Sequence, residues 1–252
     1  MEKRMPADLL DASAISHALT GSYWRVSTIS EATSTQELLR TSNPSHGDVL
    51  ATEFQSAGRG RLDRSFEAER STALLFSLFI KPRITQERWS FIPLLAGLSV
   101  VQVLNSLCES NKFFTKWPND ILINEKKISG MISEVCGDGI IVGIGINTTM
   151  SRAQLPVSSA TSVLIELGIV LNRNELLAEI LRQFSQNLAD WESGRDFLAE
   201  YTSLSSTINR EVKAIAPDGV EAIGTALGVD ESGALLLSDQ QIIRVGDLLH
   251  LR

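Results

Sequence analysis

The stretch of the sequence best suited to chemistry is residues 53–70, where closely spaced arginines alternate with glycines. The arginines are Arg59, Arg61, Arg64 and Arg70, and the glycines are Gly58 and Gly60. Clustered guanidinium groups repel one another, whereas their planar forks match the oxygens of phosphates and carboxylates. Glycine also lets the backbone approach a ligand closely. The stretch predicts a mobile loop over a phosphorylated or carboxylated small molecule; a solvated surface loop and an arginine–glycine nucleic-acid contact are the alternatives.

Four other polar patterns could contribute to a site, and each also has an ordinary structural explanation. Residues 34–37, Ser-Thr-Gln-Glu, have the spacing of a capping box and predict a helix N-terminus with free N–H donors. Residues 116–120, Lys-Trp-Pro-Asn-Asp, predict a turn whose polar end could orient a nucleotide or a magnesium ion. Lys127 follows a polar turn and could be a surface lysine. Residues 143–147, Gly-Ile-Gly-Ile-Asn, end a strand, where small residues allow a flat ring to lie against the backbone or mark a bend.

Hydrophobic periodicity predicts the elements that hold these patterns. Strands are predicted over 23–29, 48–54, 73–80, 113–116, 121–123, 128–135 and 140–147, and helices over 9–19, 34–39, 88–108, 162–167, 175–191 and 197–201. The second and third strands deliver and receive the arginine-rich stretch. Short β runs over 211–216, 221–229, 234–237 and 242–249 predict a small C-terminal β module.

Composition limits the classes of function. The formal net charge is −7, which argues against broad nucleic-acid affinity because such binding needs an extended positive surface. Cys108 and Cys136 lack metal-binding spacing and the three histidines are scattered, so these residues do not indicate a metal site. Residues 1–11 do not read as a signal peptide, and the apolar run 91–107 is interrupted by Pro93, which favours a core helix over a membrane span. We therefore expect a cytoplasmic protein.

Five motifs occur in a specific order: Ser34-Thr35, Gln55 to Arg64, Lys116 to Asp120, Lys127 to Gly130, and Gly143 to Asn147. In this order the chain resembles the biotin protein ligases of the bacterial type that lacks an N-terminal DNA-binding domain. The resemblance implies an α+β fold with a mixed-sheet catalytic domain over residues 1–206, of the class II aminoacyl-tRNA synthetase and biotin ligase type. It also implies a small SH3-like β-barrel over residues 207–252.

The resemblance implies a two-step reaction. The biotin carboxylate attacks the α-phosphate of ATP to give biotinyl-5′-AMP and pyrophosphate, with Mg²⁺ neutralising the polyphosphate. A lysine amine of a biotin carboxyl carrier protein or domain, part of a biotin-dependent carboxylase, then displaces AMP. No nucleic-acid or membrane partner is implied, and a homodimer is compatible with the resemblance.

The resemblance also assigns roles to individual residues. Catalytic cations are Lys127, Arg59, Arg61 and Arg64. Biotin-binding residues are Ser34, Thr35, Gln36, Gln55, Gly58, Arg59, Lys127 and Gly143. Nucleotide-binding residues are Arg61, Arg64, Trp117, Asn119, Asp120, Gly145 and Asn147, with a core role as the alternative for Trp117; metal ligands are not assigned. Three positions depart from the usual pattern: Gln36 replaces asparagine, Asp63 replaces glycine and Phe66 replaces tryptophan.

Other functions are compatible with parts of this pattern. A lipoate or octanoate ligase or transferase shares the fold, although the arginine loop, the 116–120 motif and the C-terminal module favour biotin. A non-catalytic homologue that binds biotin or its adenylate is a second alternative, and an arginine–glycine nucleic-acid binder or transcriptional regulator is a third.

Overall fold

A computed structural model describes residues 8–61 and 64–251. The chain divides into two compact units: the first comprises Met1–Lys81 and Lys126–Arg182, the second Pro82–Glu125 and Gln183–Arg252. The departure at Asp63 lies outside the described residues. The predicted domain boundary between residues 206 and 207 stays a prediction.

Helices and strands are interspersed up to Ser203, and the C-terminal part after it contains strands only. The helices are α1 (Ala12–Ala18), α2 (Thr35–Thr41), a 3-10 helix (Gln86–Phe91), α3 (Ile92–Leu107), α4 (Val163–Leu167), α5 (Arg173–Glu192) and α6 (Leu198–Ser203). The first seven strands are β1 (Arg25–Ile29), β2 (Asp48–Thr52), β3 (Ala73–Ile80), β4 (Phe113–Lys116), β5 (Asp120–Ile123), β6 (Lys126–Cys136) and β7 (Gly139–Asn147). The last five are β8 (Glu211–Ile215), β9 (Glu221–Val229), β10 (Leu235–Leu237), β11 (Ile242–Ile243) and β12 (Asp247–His250).

A mixed sheet forms the first unit, with strand order β1-β2-β3-β7-β6. Strands β1 and β2 are parallel, and the other neighbouring pairs are antiparallel. Every residue of β3 and β7 is buried, as the continuous apolar runs predicted. Helix α2 packs on one face of this sheet because its Leu39 joins Phe79 of β3 and Ile141 of β7 in a hydrophobic cluster. Side chains alternate along a strand, so Ser77 and Gly143, two residues away, lie on that same face.

In the second unit, the predicted long helix is divided into two parts. A 3-10 helix covers Gln86–Phe91 and α3 begins at Ile92, with Pro93 in its first turn, where a missing N–H donor costs nothing. The stretch Gln86–Leu107 is long and apolar enough to cross a membrane by length and composition alone, but 67% of its most apolar window is buried inside the protein. This burial confirms the prediction of a core helix.

The C-terminal strands form an antiparallel sheet of five strands in the order β11-β10-β9-β8-β12, as expected for the SH3-like module. The predicted single strand over 242–249 is wrong in one respect: it is two strands separated at Gly246. This glycine has φ of +153°, and a Cβ there would lie 2.6 Å from the carbonyl oxygen of Ile215. Only glycine fits this position, so the backbone turns there instead of continuing as a strand.

Candidate active site

The N-terminus of α2 and Gln55 are brought together by an extension of the parallel β1–β2 pair. Ala32 and Gln55 form an isolated parallel bridge just beyond these strands. Gln55 Oε1 accepts hydrogen bonds from Thr35 N (2.7 Å) and Thr35 Oγ1 (3.0 Å), and Thr35 Oγ1 lies 2.8 Å from Ser77 Oγ. Gln55 therefore satisfies an N–H group of the first helical turn from outside the helix.

The capping-box prediction is correct in position but wrong in its bonds. Ser34 occupies the N-cap position with extended backbone, yet its side chain makes no capping hydrogen bond. Glu37 does not turn back to the N-terminus, because Arg40 of the next turn binds its carboxylate. This pairing with Arg40 is also the largest cause of the lowered pKa of Glu37. The buried hydroxyl of Ser34 therefore forms no hydrogen bond to the N-terminal N–H groups of α2.

Next to Thr35, Gln36 and Gly143 form a buried polar recess on the α2 face of the sheet. A Cβ at Gly143 would lie 3.3 Å from Ser77 Oγ and 3.5 Å from Gln36 Oε1, so the glycine keeps this space open. Gln36 is only 3% exposed, and its Oε1 has no hydrogen-bond partner among the described residues. A buried acceptor without a partner costs roughly 1–3 kcal/mol, which a ligand with an N–H donor would recover.

The described residues of the arginine-rich stretch on either side of residues 62 and 63 pair in antiparallel fashion and are called the arginine hairpin here. Phe66 N donates to Gly58 O (2.9 Å), Gly60 N donates to Arg64 O (2.7 Å), and Arg59 bridges Ser65 in antiparallel fashion. A Cβ at Gly58 would lie 2.3 Å from the carbonyl oxygen of Phe66, so this position requires glycine for the close approach of the two strands of the hairpin.

Phe66 covers Gly145. A Cβ at Gly145 would lie 2.6–2.8 Å from three atoms of the Phe66 ring, so the ring rests directly on the glycine backbone. We predicted that a flat ligand ring would lie against this glycine. In the structure the flat ring on Gly145 belongs to the protein itself and comes from the arginine hairpin. The nucleotide-binding role of Gly145 stays a prediction that requires Phe66 to leave or to be part of the ring stack.

Arg59 is held by carboxylates of two different elements. Its Nη1 lies 3.7 Å from Glu37 Oε2 of α2 and 3.6 Å from Glu134 Oε2 of β6. The side chain is 51% exposed, so these ion pairs are solvated and individually weak. They place the guanidinium between α2 and β6; Glu134 pairs in register with Ile141, so it lies on the sheet face that α2 covers.

Lys127 and Asn147 are tied to the same short segment, residues 159–161. Lys127 N donates to Ser159 O and Thr161 N donates to Lys127 O, both at 2.8 Å. Asn147 Nδ2 donates to Thr161 O at 2.9 Å. Lys127 at the start of β6 and Asn147 at the end of β7 are therefore both hydrogen-bonded to Thr161.

In the second unit, the 116–120 motif forms the end of the β4–β5 hairpin. Trp117 is 2% exposed; its Nε1 donates to Gly233 O (2.9 Å) and its N to Thr207 Oγ1 (3.1 Å), so its core role accounts for both donors. Asn119 and Asp120 are half-buried in the turn and at the start of β5. Their nucleotide-binding roles stay predictions.

Comparisons with known proteins identify the family of this chain. A model of the biotin/lipoate A/B protein ligase family matches residues 26–150. The Mycobacterium tuberculosis biotin--[acetyl-CoA-carboxylase] ligase is 31% identical over 214 residues, which cover 82% of this chain and 80% of that protein. The chain belongs to the biotin protein ligase family.

Two further proteins are similar to this chain over nearly its whole length. The bifunctional ligase/repressor BirA of Escherichia coli is 32% identical over 247 residues, covering 95% of this chain and 76% of that protein. The Aquifex aeolicus biotin protein ligase, solved in complex with biotin and ATP, superposes with a TM-score of 0.80 at 31% identity, covering 90% of this chain and 99% of that chain. The predicted family and the α+β fold class are confirmed.

Sequence reasoning missed two polar residues of the candidate site, Ser77 and Glu53. Ser77 bonds Thr35 and lines the recess, and it is the only polar residue in the apolar run of β3, a signal that could have identified it. Glu53 lies two residues before Gln55. Its buried Oε2 forms an ion pair with Nη2 of Arg173 in α5, at 2.8 Å. Ser71, at the other stem of the arginine stretch, donates to Glu53 through its hydroxyl, so this ion pair fastens both stems.

Among residues 8–61 and 64–251, no group of three or more His, Cys, Asp or Glu side chains is placed to hold a metal ion. Mg²⁺ commonly binds through one or two carboxylates, waters and the substrate's phosphates, so Mg²⁺ bound together with ATP does not require such a cluster, and its use stays a prediction. In the second unit, burial and then the nearby Lys116 and Arg210 lower the pKa of His250 to about 4, so this histidine is neutral at pH 7.

Proposed function

We propose that this chain joins biotin to ATP to form biotinyl-5′-AMP and then transfers biotin to a lysine of a biotin carboxyl carrier domain. The observation that carries the choice of biotin is the buried polar recess formed by Thr35, Gln36, Gln55 and Ser77 beside Gly143. The cyclic urea of biotin offers two N–H donors and one carbonyl acceptor. Gln36 Oε1 is an acceptor without a partner among the described residues, and it suits one of those donors.

The same recess argues against lipoate. The dithiolane ring of lipoate carries no N–H or O–H group, so it would leave the buried Gln36 acceptor unpaired. A site built for hydrogen bonds rejects an analogue that lacks them much more strongly than an apolar pocket rejects a change of size.

The recess also gives a direct binding test. In calorimetric titrations of the purified chain, biotin is expected to bind and lipoate to give no measurable heat. Gln36→Leu, of similar volume without the acceptor, is expected to weaken biotin by about tenfold or more, since a lost buried hydrogen bond costs about 1–3 kcal/mol. Leu38→Ala on the exposed side of α2 serves as the control. Binding of lipoate and not biotin would refute the proposal.

The first chemical step brings two anions together, and cations of the chain make this possible. A biotin carboxylate oxygen attacks the α-phosphorus, and the bond from this phosphorus to the bridging oxygen of pyrophosphate breaks. We assign Lys127, Arg59, Arg61 and Arg64 to stabilising the negative charge that develops on these oxygens. An ammonium is a compact point charge that can follow an oxyanion as its geometry changes, and Arg61 and Arg64 at the turn of the hairpin can close over the phosphates.

The second step releases AMP. The amine of the carrier lysine attacks the acyl carbon of the mixed anhydride, and the bond to the phosphate oxygen breaks. We propose the carrier of a biotin-dependent carboxylase as this partner, because the Mycobacterium tuberculosis relative is named for acetyl-CoA carboxylase. We also propose that the chain acts in the cytoplasm and without a nucleic-acid partner, since a formal net charge of −7 disfavours binding to polyanions. Action without a membrane partner and a possible homodimer are part of the same proposal.

Asn147 is proposed to select adenine. Its Nδ2 is engaged by Thr161 O, which leaves Oδ1 as a buried acceptor without a partner among the described residues. The exocyclic amino group of adenine can donate to this oxygen, whereas the 6-oxo group of inosine would meet it acceptor to acceptor.

We therefore expect the chain to use ATP at least about tenfold more efficiently than ITP in biotin-dependent pyrophosphate exchange, from one buried hydrogen bond. Asn147→Ala is expected to lower kcat/KM for ATP and to bring the ATP/ITP ratio towards one. Steady-state exchange rates with each nucleotide measure this ratio. An unchanged ratio in the variant would show that Asn147 does not read the base.

A further inference from the structure

We infer that Thr161 and Glu166 are positioning residues that set the orientation of Asn147, and through it the selection of the nucleotide base. The inference rests on the proposed function of Asn147 and deepens it. Neither residue belongs to the motifs that identified the site in the sequence.

Thr161 uses three of its polar groups on three different partners. Its N–H donates to Lys127 O (2.8 Å), its carbonyl accepts from Asn147 Nδ2 (2.9 Å), and its hydroxyl donates to Glu166 Oε1 (2.7 Å). The residue is 1% exposed, so these bonds form away from solvent. Thr161 thus links the start of β6 to the end of β7 through hydrogen bonds of its backbone.

The carbonyl of Thr161 decides which end of the Asn147 amide faces outward. An amide side chain can present either its oxygen or its nitrogen, and only its partners distinguish the two orientations. Because the Thr161 carbonyl accepts a hydrogen bond, it requires the Asn147 nitrogen and turns Oδ1 away. A displaced Thr161 carbonyl would allow the amide to rotate and present a donor instead of an acceptor.

Glu166 holds Thr161 in place. Its side chain is 9% exposed, and its Oε1 accepts from the Thr161 hydroxyl and lies 3.5 Å from Lys126 Nζ. The neighbouring Ser162 caps α4: its Oγ accepts from Ile165 N (3.2 Å) and donates to Met150 O (2.7 Å). The Thr161 backbone is therefore set between a side-chain bond to α4 and the helix cap that follows it.

The ion pair between Glu166 and Lys126 is not expected to affect the selection of the nucleotide base. The Lys126 side chain is 37% exposed and its distance to Glu166 is long, so the pair contributes little. The acceptor oxygen of Glu166, not its charge, fixes the Thr161 hydroxyl. The substitution Glu166→Gln would keep such an oxygen, whereas Glu166→Leu would remove it.

The test uses the full chain and measures biotin-dependent pyrophosphate exchange with ATP and ITP for Thr161→Val, Thr161→Ser, Glu166→Leu and Glu166→Gln. Thr161→Val and Glu166→Leu are expected to raise KM for ATP by about tenfold and to reduce the ATP/ITP ratio, since each removes the same buried hydrogen bond between the Thr161 hydroxyl and the Glu166 side chain. Thr161→Ser and Glu166→Gln, which keep the hydroxyl and the acceptor, are expected to stay within about threefold of the wild type, because the bond persists.

The ratio of the two nucleotides separates positioning from a purely structural role. A loss of packing would lower the melting temperature or the overall rate without changing the preference for ATP. KM for biotin is expected to stay nearly constant, because the side chains of the biotin recess come from α2, Gln55 and β3, beside Gly143 of β7, and the bond between Thr161 and Glu166 involves none of them. If Thr161→Val does not fold, the Glu166→Leu and Glu166→Gln pair carries the test.

Two failures are distinguishable. A wild-type chain with no biotin-dependent exchange would overturn the proposed function. An active wild type whose ATP/ITP ratio is unchanged in both Thr161→Val and Glu166→Leu would overturn the positioning role and leave the proposed function intact.

Discussion

Replacing Lys127 by alanine is expected to lower the rate of biotin-dependent pyrophosphate exchange by about 10²–10³-fold, the usual loss when one preorganised charge at a reacting oxyanion is removed. Both backbone groups of Lys127 are bonded to residues 159–161, so the position of its backbone does not depend on its side chain. The variant should therefore fold normally and lose chemistry. Exchange of labelled pyrophosphate into ATP at saturating biotin measures the effect.

Lys126→Ala is the matched control for this experiment. It removes the same charge one residue earlier, from a side chain that lies 3.5 Å from Glu166 Oε1. We expect its rate to remain within about threefold of the wild type, because the Lys126 side chain is 37% exposed and its ammonium is solvated at a distance of 3.5 Å from the carboxylate. Lys127→Arg is expected to stay impaired, since a planar fork does not replace a point charge. Equal rates for Lys127→Ala and Lys126→Ala would remove Lys127 from the mechanism.

The second large effect concerns stability. Arg173→Ala is expected to lower the free energy of unfolding by about 3–5 kcal/mol, because it leaves the Glu53 carboxylate buried without its counter-ion. Arg173 is 3% exposed on its side chain and also donates to the carbonyl oxygens of Ala73 and Asp8. Thermal unfolding should show a fall in Tm of about 6–20 °C, at about 2–4 °C per kcal/mol for a chain of this size.

Acid sensitivity tests the same ion pair from the side of Glu53. Burial raises the pKa of this carboxyl, but hydrogen bonds from Leu10, Ser71 and Arg173 outweigh it and lower the pKa below the ordinary 4.5. The stabilisation is thus fully present above about pH 4.5 and is lost as the pH falls through the lower, folded-state pKa. Glu53→Gln should weaken this dependence on pH, which denaturant unfolding at a series of acidic pH values measures.

The exposed Arg182–Glu179 pair on α5 is a suitable control, with side chains 50% and 40% exposed. Arg182→Ala is expected to change stability by less than about 1 kcal/mol. A loss in Arg173→Ala no greater than that of Arg182→Ala would show that the buried pair does not hold the stems of the arginine hairpin.

The strands could be predicted well because their signal is local. The apolar run of β3 and the alternating run of β9 gave the bounds Ala73–Ile80 and Glu221–Val229 that the structure has. Gly246 shows the limit: its conformation depends on the approach of Ile215 from another strand, which periodicity does not reveal.

The site was predictable in its residue types and not in its contacts. Thr35 and Gln55 were both identified from the sequence. Only the extension of the β1–β2 pair shows that the Gln55 side chain accepts the N–H of Thr35 and so caps α2. Glu53 and Arg173 are far apart in sequence, and no local pattern pairs them. Phe66 could be recognised as a departure from tryptophan, whereas its position on Gly145 follows from the hairpin geometry.

The most direct test of the central claim is exchange of labelled pyrophosphate into ATP by the purified chain, with biotin present or absent. We predict exchange that requires biotin, does not occur with lipoate or octanoate, and falls in Lys127→Ala but not in Lys126→Ala. Exchange that is absent with biotin, or that lipoate supports and biotin does not, would contradict the account.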